Sequence, residues 1–284
     1  MSKLPYLYVS QSKIKVMPNT LEMTILTPEQ IRKATPQAYA TTPKPGVSAK
    51  YSFLPTSRII EDMDTLGWKV CSAKGGKYRN GVNAEFGNHV IKFFHPEIFI
   101  RDAAGDIEAY PNVVVMNSHT GRGSFKFEMG IFRLVCENGL IIKDKDMGGF
   151  QLRHSGYSFE ELQKTLGEAV DRLPEVVGRI NTFSQVIMSQ EQQHEFAQKA
   201  FQLRAGEERL LSQADLQAML APRRTQDQGD SLWQVLNRVQ EGVMSGGFMA
   251  IGAQGKLRRV KGIRNIQKDL QLNQAIWELG STFA

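Results

Sequence analysis

The spacing of apolar positions changes period near the middle of this 284-residue chain. From Trp68 to about Arg153 the apolar residues fall in short runs rich in β-branched and aromatic side chains: Trp68–Cys71, His89–Phe94, Asn112–Met116 and Ser124–Glu128. Gly, Asn and Asp separate them, the punctuation expected between strands. Ser118-His119-Thr120-Gly121-Arg122-Gly123 suits a hairpin connection, and Asn138-Gly139 marks a second tight turn. After Ser158 the period becomes helical, with Leu162, Leu166, Val170, Leu173, Val177, Ile180, Phe183 and Ile187 recurring every three or four residues. Pro174 kinks this run or starts a second helix. Further helices are predicted at about 191 to 204, at 213 to 220 after the cap Ser212, and at 231 to 244.

The segments before the sheet carry two more helix signals. Thr27 and Gln30 have capping-box spacing, with Pro28 at the first helical position, so Thr27–Lys33 reads as a short helix. A loop follows at Thr41–Gly46. Thr56 then precedes Ser57–Leu66, whose apolar positions at 59, 60, 63 and 66 share one helical face that Gly67 ends. The polar stretch Pro222–Asp230 reads as an exposed loop. Because helices follow strands rather than alternating with them, the expected class is α+β: an antiparallel β-sheet core in the N-terminal half, then a helical C-terminal half. The expected organisation is an N-terminal segment 1–44, a β-rich core 45–157, and a helical region 158–284 that packs on the core as one domain.

Composition narrows the function classes. With 41% hydrophobic and 23% charged residues the chain can bury a sizeable core. No apolar run approaches the roughly 20 residues that span a bilayer, and Met1–Tyr6 lacks a secretory pattern. The expectation is a cytoplasmic protein without a membrane partner. The two cysteines, Cys71 and Cys136, are too few for a disulfide framework or a zinc site. Lys74-Gly75-Gly76-Lys77 lacks the other residues of a Walker loop, and no dinucleotide fingerprint or Gly-x-Ser-x-Gly elbow is present, so no cofactor and no catalytic residue is assigned.

The net charge of +6 favours polyanionic partners, and its distribution matters more than its size. From Gly255 to Lys268 the chain carries Lys256, Arg258, Arg259, Lys261, Arg264 and Lys268 with no acidic residue. Lys74, Lys77 and Arg79 form a second basic group. In a strand, Arg122 and Lys126 would share one face with Ser124 and Glu128, while Phe125 and Phe127 point into the core. These eleven cations are the candidate phosphate contacts. Asp102, Asp106 and Glu108, with His95 and Glu97 nearby, are the best local candidates for a metal, although Asp102–Asp106 has the composition of an ordinary turn. His89, His95, His119, His154 and His194 lack zinc spacing, and structural roles are expected of them.

Asn117–Phe125 and Gly130-Ile131-Phe132-Arg133-Leu134-Val135-Cys136-Glu137-Asn138-Gly139-Leu140 resemble the phage- and plasmid-related family catalogued as domain of unknown function 932. Val47–Thr56, Leu232–Glu241 and Leu272–Trp277 resemble it too, so the likeness spans roughly residues 45 to 280. It implies an intracellular place in a bacterial host and a role in replication, recombination or counter-defence of a mobile element. It carries no catalytic residues across. Asn117–Gly121 is read as a turn kept for its hairpin geometry. The expected function is a DNA-binding accessory protein, with single-strand binding or annealing as its finer form. A counter-defence protein that binds a host protein and a metal-dependent nuclease are the alternatives. Apolar helix faces leave room for a homo-oligomer.

Overall fold

The computed structural model describes residues 7–10, 23–76, 84–101, 105, 107–121, 125–133, 139–140, 157–251, 257–263 and 266–284. A seven-stranded antiparallel sheet contains β1 (Leu7–Ser10), β2 (Lys69–Gly75), β3 (His89–Phe94), β4 (Ile98–Arg101), β5 (Ile107–Asn117), β6 (Lys126–Arg133) and β7 (Gly139–Leu140). Strand β5 is its axis. One edge of β5 pairs with β6, from Ala109↔Arg133 to Met116↔Lys126. The other edge is shared end to end by β4 and β3, and β1 and β2 pair outside these two. Pro111 sits where β5 changes partner from β4 to β3, so a residue without an N–H falls where the ladder on that edge is already interrupted.

Alternation along the strands gives the sheet two faces. Ile91, Phe93, Val113, Val115, Phe127 and Met129 point to the face covered by α1 (Pro28–Ala34), α2 (Thr56–Thr65) and α3 (Phe159–Asp171), where they meet Ile31, Ile59, Met63, Leu162 and Leu166. Phe125 is buried on this side too, so both aromatics of that strand region are core, as their positions predict. The opposite face carries Val90, Val114 and Met116, then Phe94 and Tyr110.

The helical half follows the caps closely. Ser158, Ser189, Ser212 and Ser231 each accept a hydrogen bond from the third residue of the helix they open: α3, then α5 (Gln190–Ala205), α6 (Gln213–Leu220) and α7 (Leu232–Ser245). Pro174 does not kink a continuous helix; it lies in the first turn of a separate one, α4 (Leu173–Gln185). Helix α8 (Ile266–Ser281) closes the chain. Trp233, Trp277, Phe183, Phe196 and Phe201 form the core of this half, and Ile100, Ala109 and Ile131 of the large sheet belong to the same cluster. A second, three-stranded antiparallel sheet lies within it, in the order β10 (Leu257–Arg259), β9 (Met249–Ile251), β8 (Leu210–Leu211). The class is α+β, with the large antiparallel sheet in the first half and α3 to α8 in the second.

Two local readings need correction. Thr56 is the first residue of α2 rather than the residue before it, and its hydroxyl turns inward to His89 and Asn117. The polar stretch 222–230 is not wholly exposed: Asp227 is buried, and Arg224 forms a bidentate pair with Glu241 of α7.

The inward Thr56 belongs to a directed chain of hydrogen bonds. Asn117 Nδ2 donates to Thr56 Oγ1 at 2.9 Å, Thr56 lies 2.8 Å from His89 Nε2, and His89 Nδ1 lies 2.9 Å from the Gly87 carbonyl. A carbonyl only accepts, so the network assigns the proton of a neutral imidazole to Nδ1 and leaves Nε2 to accept from the threonine. Burial pushes the His89 pKa down from 6.5 to about 4. The unfolded chain therefore binds the proton first, and this histidine's contribution to stability is complete above about pH 6.5 and drains away as the pH falls toward 4. Urea midpoints should drop between pH 7 and pH 5 by an amount worth about 2 kcal/mol. An equal drop in a His89→Gln variant would assign the acid sensitivity to other groups.

Candidate nucleic-acid interface

The basic segment is fixed to the end of α7 by backbone contacts. Gly246 (φ 70°, ψ −154°) follows that helix in a conformation open to glycine, and Gly247 (φ 100°) continues the turn. From there Gly247 N donates to Val260 O at 2.7 Å, Val260 N to Phe248 O at 2.8 Å, and Ile263 N to Met244 O at 3.1 Å. The approach is close: a Cβ on Gly246 would lie 2.7 Å from Val260 O and 2.8 Å from the Lys261 carbonyl carbon. Arg204, in the last turn of α5, reaches across and donates to the carbonyls of Val243, Met244 and Lys261. One guanidinium thus satisfies carbonyls at the negative end of α7 and ties the basic loop to it. Gly246→Ala is expected to cost about 3 kcal/mol from the disfavoured φ and the backbone collision together. Thermal unfolding would check it, and an unchanged midpoint would show that the loop is not pinned there.

Strand β10 forms the edge that results. Leu257, Arg258 and Arg259 are all exposed, as is Lys261 just beyond them. Among the described residues, none of Arg258, Arg259 and Lys261 forms an ion pair, whereas Arg223 and Arg224 are both engaged by Glu241. Lys268 is also exposed, in the first turn of α8. This leaves a short backbone edge with three cations presented to solvent and held by rigid neighbours.

The other candidate cations divide between the large sheet and the undescribed residues. Lys74 pairs with Val90, Val90 with Met116, and Met116 with Lys126, so Lys74 and Lys126 lie in one row on one face, at opposite ends of four strands. Lys92 occupies the next row of that face, between Ser72 and Val114. Burial lowers its pKa, and the nearby Asp269 of α8 acts in the opposite direction. Burial raises the Asp269 pKa while Lys92 and Lys74 both act to lower it, so the start of α8 comes down beside this face. No local pattern singles out Lys92, because its surroundings depend on a helix more than 170 residues away. Lys77, Arg79, Arg122, Lys256 and Arg264 lie outside the described residues.

Competing chemistry finds less support. Asp102 and Asp106 lie outside the described residues, Glu108 is buried in β5, and no group of His, Cys, Asp or Glu among the described residues is arranged to hold a metal ion. His95 packs edge-on against Trp68, and its Nδ1 accepts from Glu97 N, which fixes the turn between β3 and β4. Burial pushes the Cys71 thiol up to about 11, so it stays protonated and a poor nucleophile at neutral pH. Asn117–Gly121 serves as a clamp. Asn117 Nδ2 donates to Leu54 O, Tyr51 Oη donates to Ser118 O, and the buried His119 ring packs between Phe53 and His89. The only positive φ in this turn is at Gly121, where a side chain would strike Val47. These contacts bind segment 47–56 to the end of the sheet. No described helix is long and apolar enough to cross a membrane.

The fold and the exposed edge together define an α+β protein that carries an exposed basic strand at the edge of a small second sheet. The sequence pattern of the family named Domain of unknown function (DUF932) matches residues 46–277, and the chain belongs to that family. It is similar to the UPF0380 protein YfjQ of Escherichia coli (strain K12), at 24% identity over 90% of this chain and 91% of the relative. It is also similar to the UPF0380 protein YafZ of the same strain, at 24% identity over 89% of each. No solved structure matches it.

Proposed function

We propose that this protein is a nucleic-acid-binding accessory protein, acting on DNA in the cytoplasm of a bacterial host in the service of a phage or plasmid. The observation that carries the reading is the edge formed by Arg258, Arg259 and Lys261: three exposed cations, without ion-pair partners among the described residues, on a backbone pinned by Gly246, Gly262 and Arg204. Cations placed this way neutralise phosphates and release counterions, and a rigid support lowers the entropy that binding must overcome. An edge strand with arginines also resists pairing with a copy of itself, because the like charges would face one another.

Fluorescence anisotropy of labelled oligonucleotides at low salt, with and without Mg²⁺ and with the strands run on a gel afterwards, tests it. Binding without cleavage is expected. Cleavage that requires Mg²⁺ and is lost in Asp106→Ala would replace this reading with a nuclease, and no binding to any oligonucleotide would overturn it.

A further inference from the structure

The outer face of the three-stranded sheet gives this site a second chemical character. Ile251 pairs with Leu210 on one side and Leu257 on the other, so these three positions form one row across β8, β9 and β10. Directly paired residues of neighbouring strands project to the same face. Residues one step along point the other way: Leu211 and Ala250 are buried in the helical core. Leu210 and Leu257 therefore project outward, and they are 55% and 58% exposed. Two spacings of about 4.8 Å put the two leucines roughly 10 Å apart. Arg259 and Met249, two residues along from Leu257 and Ile251, pair with each other on the same face.

We infer that this face binds single-stranded nucleic acid, with phosphates along β10 at Arg259 and Lys261 and the bases lying over Leu257 and Leu210. The inference rests on the nucleic-acid reading and narrows it. A duplex offers this surface phosphates and groove edges, and its base faces are already stacked on one another. A single strand offers the same charge together with free, apolar base faces, and only that ligand uses both halves of the site.

Charge sets the orientation. The exposed Glu207 and Glu208 precede β8, at the side of the sheet away from β10. A phosphate chain is repelled there and attracted at β10, so the bases point from β10 toward β8. A second copy of this chain is a poor occupant, since an edge-to-edge pairing of β10 would set arginine against arginine.

The test compares an unstructured thymidine oligonucleotide with a duplex of equal length, for the unmodified protein and for Leu210→Ser/Leu257→Ser. Both leucines are exposed, so the variant should fold, and a matching circular dichroism melt verifies this. The expected result is tighter binding to the single strand, weakened about tenfold in the variant with the salt slope unchanged, and duplex binding left as it was. Equal affinity for both ligands, unaffected by the serines, would overturn the inference while leaving the phosphate-binding reading in place. Failure of both ligands to bind would overturn that reading itself. Serine substitutions that leave oligonucleotide binding intact but abolish binding of an acidic, leucine-containing peptide would reassign the face to a protein partner.

Discussion

Trp277→Ala is expected to destabilise the protein by about 3–5 kcal/mol, the range for removing a large ring from a core that cannot collapse around the gap. Trp277 is fully buried on α8, with the Phe183 ring at 5.0 Å and the Trp233 ring at 6.4 Å in an edge-on contact. It joins α4, α7 and α8 at one point, and α8 follows directly from the basic segment. The variant should therefore lose DNA binding in step with its fold. Its indole Nε1 finds no acceptor among the described residues. Trp277→Phe keeps a ring and removes that unmatched donor, so its cost should be only about 1 kcal/mol. Urea unfolding of both variants separates the effects. A phenylalanine variant as unstable as the alanine one would mean that the indole N–H has a bound partner.

Replacing Arg258, Arg259 and Lys261 together by alanine is expected to change binding far more than stability. All three side chains are exposed and make no ion pair among the described residues, so the fold gives up little when they go. Each phosphate contact contributes about 0.7 to 0.9 to the slope of log affinity against log salt. The variant's slope should flatten by about 2 to 3, and at about 50 mM salt that corresponds to roughly 10³-fold weaker binding. Parallel salt titrations of the two proteins measure it. A parallel but displaced line would mean that these residues act through something other than counterion release, and coincident lines would remove the β10 edge from the site.

Much of the helical half was legible because its information is local. Ser212 and Ser231 cap helices that begin where the sequence places them, and Pro174 opens α4 because proline fits a first turn and no other part of a helix. The hairpin of β5 and β6 was legible from alternation and from Gly121. Strands β8, β9 and β10 were not, since two or three residues cannot display a period of two. They exist because Gly246 and Gly247 turn the chain sharply enough for 257–263 to lie back over the end of α7. Strands β1 and β4 were missed for a related reason: each has four residues, and they find their register on each other and, for β4, on β5.

The candidate site was legible in its charge and not in its shape. The anion-free composition of 255–268 marked the cations, but whether they lay on a helix face, a loop or a sheet edge depended on contacts with Arg204 and Ser245 that no local pattern records. The same holds for Thr56. Thr56 reads as the residue before an apolar helical run, and only the arrival of His89, 33 residues later, shows where its hydroxyl points. The apolar row beside the cations was invisible for the opposite reason: Leu210 and Leu257 look like core residues until the pairing with Ile251 turns them outward.

The most direct measurement is photo-cross-linking of the unmodified protein to an oligonucleotide carrying 5-bromouracil, followed by mass spectrometry of the attached peptides. Binding through the β10 edge predicts adducts on peptides from residues 249 to 268, competed away by unlabelled DNA and suppressed as salt rises. Adducts confined to other parts of the chain, or none above those formed by a non-binding control protein, would contradict it.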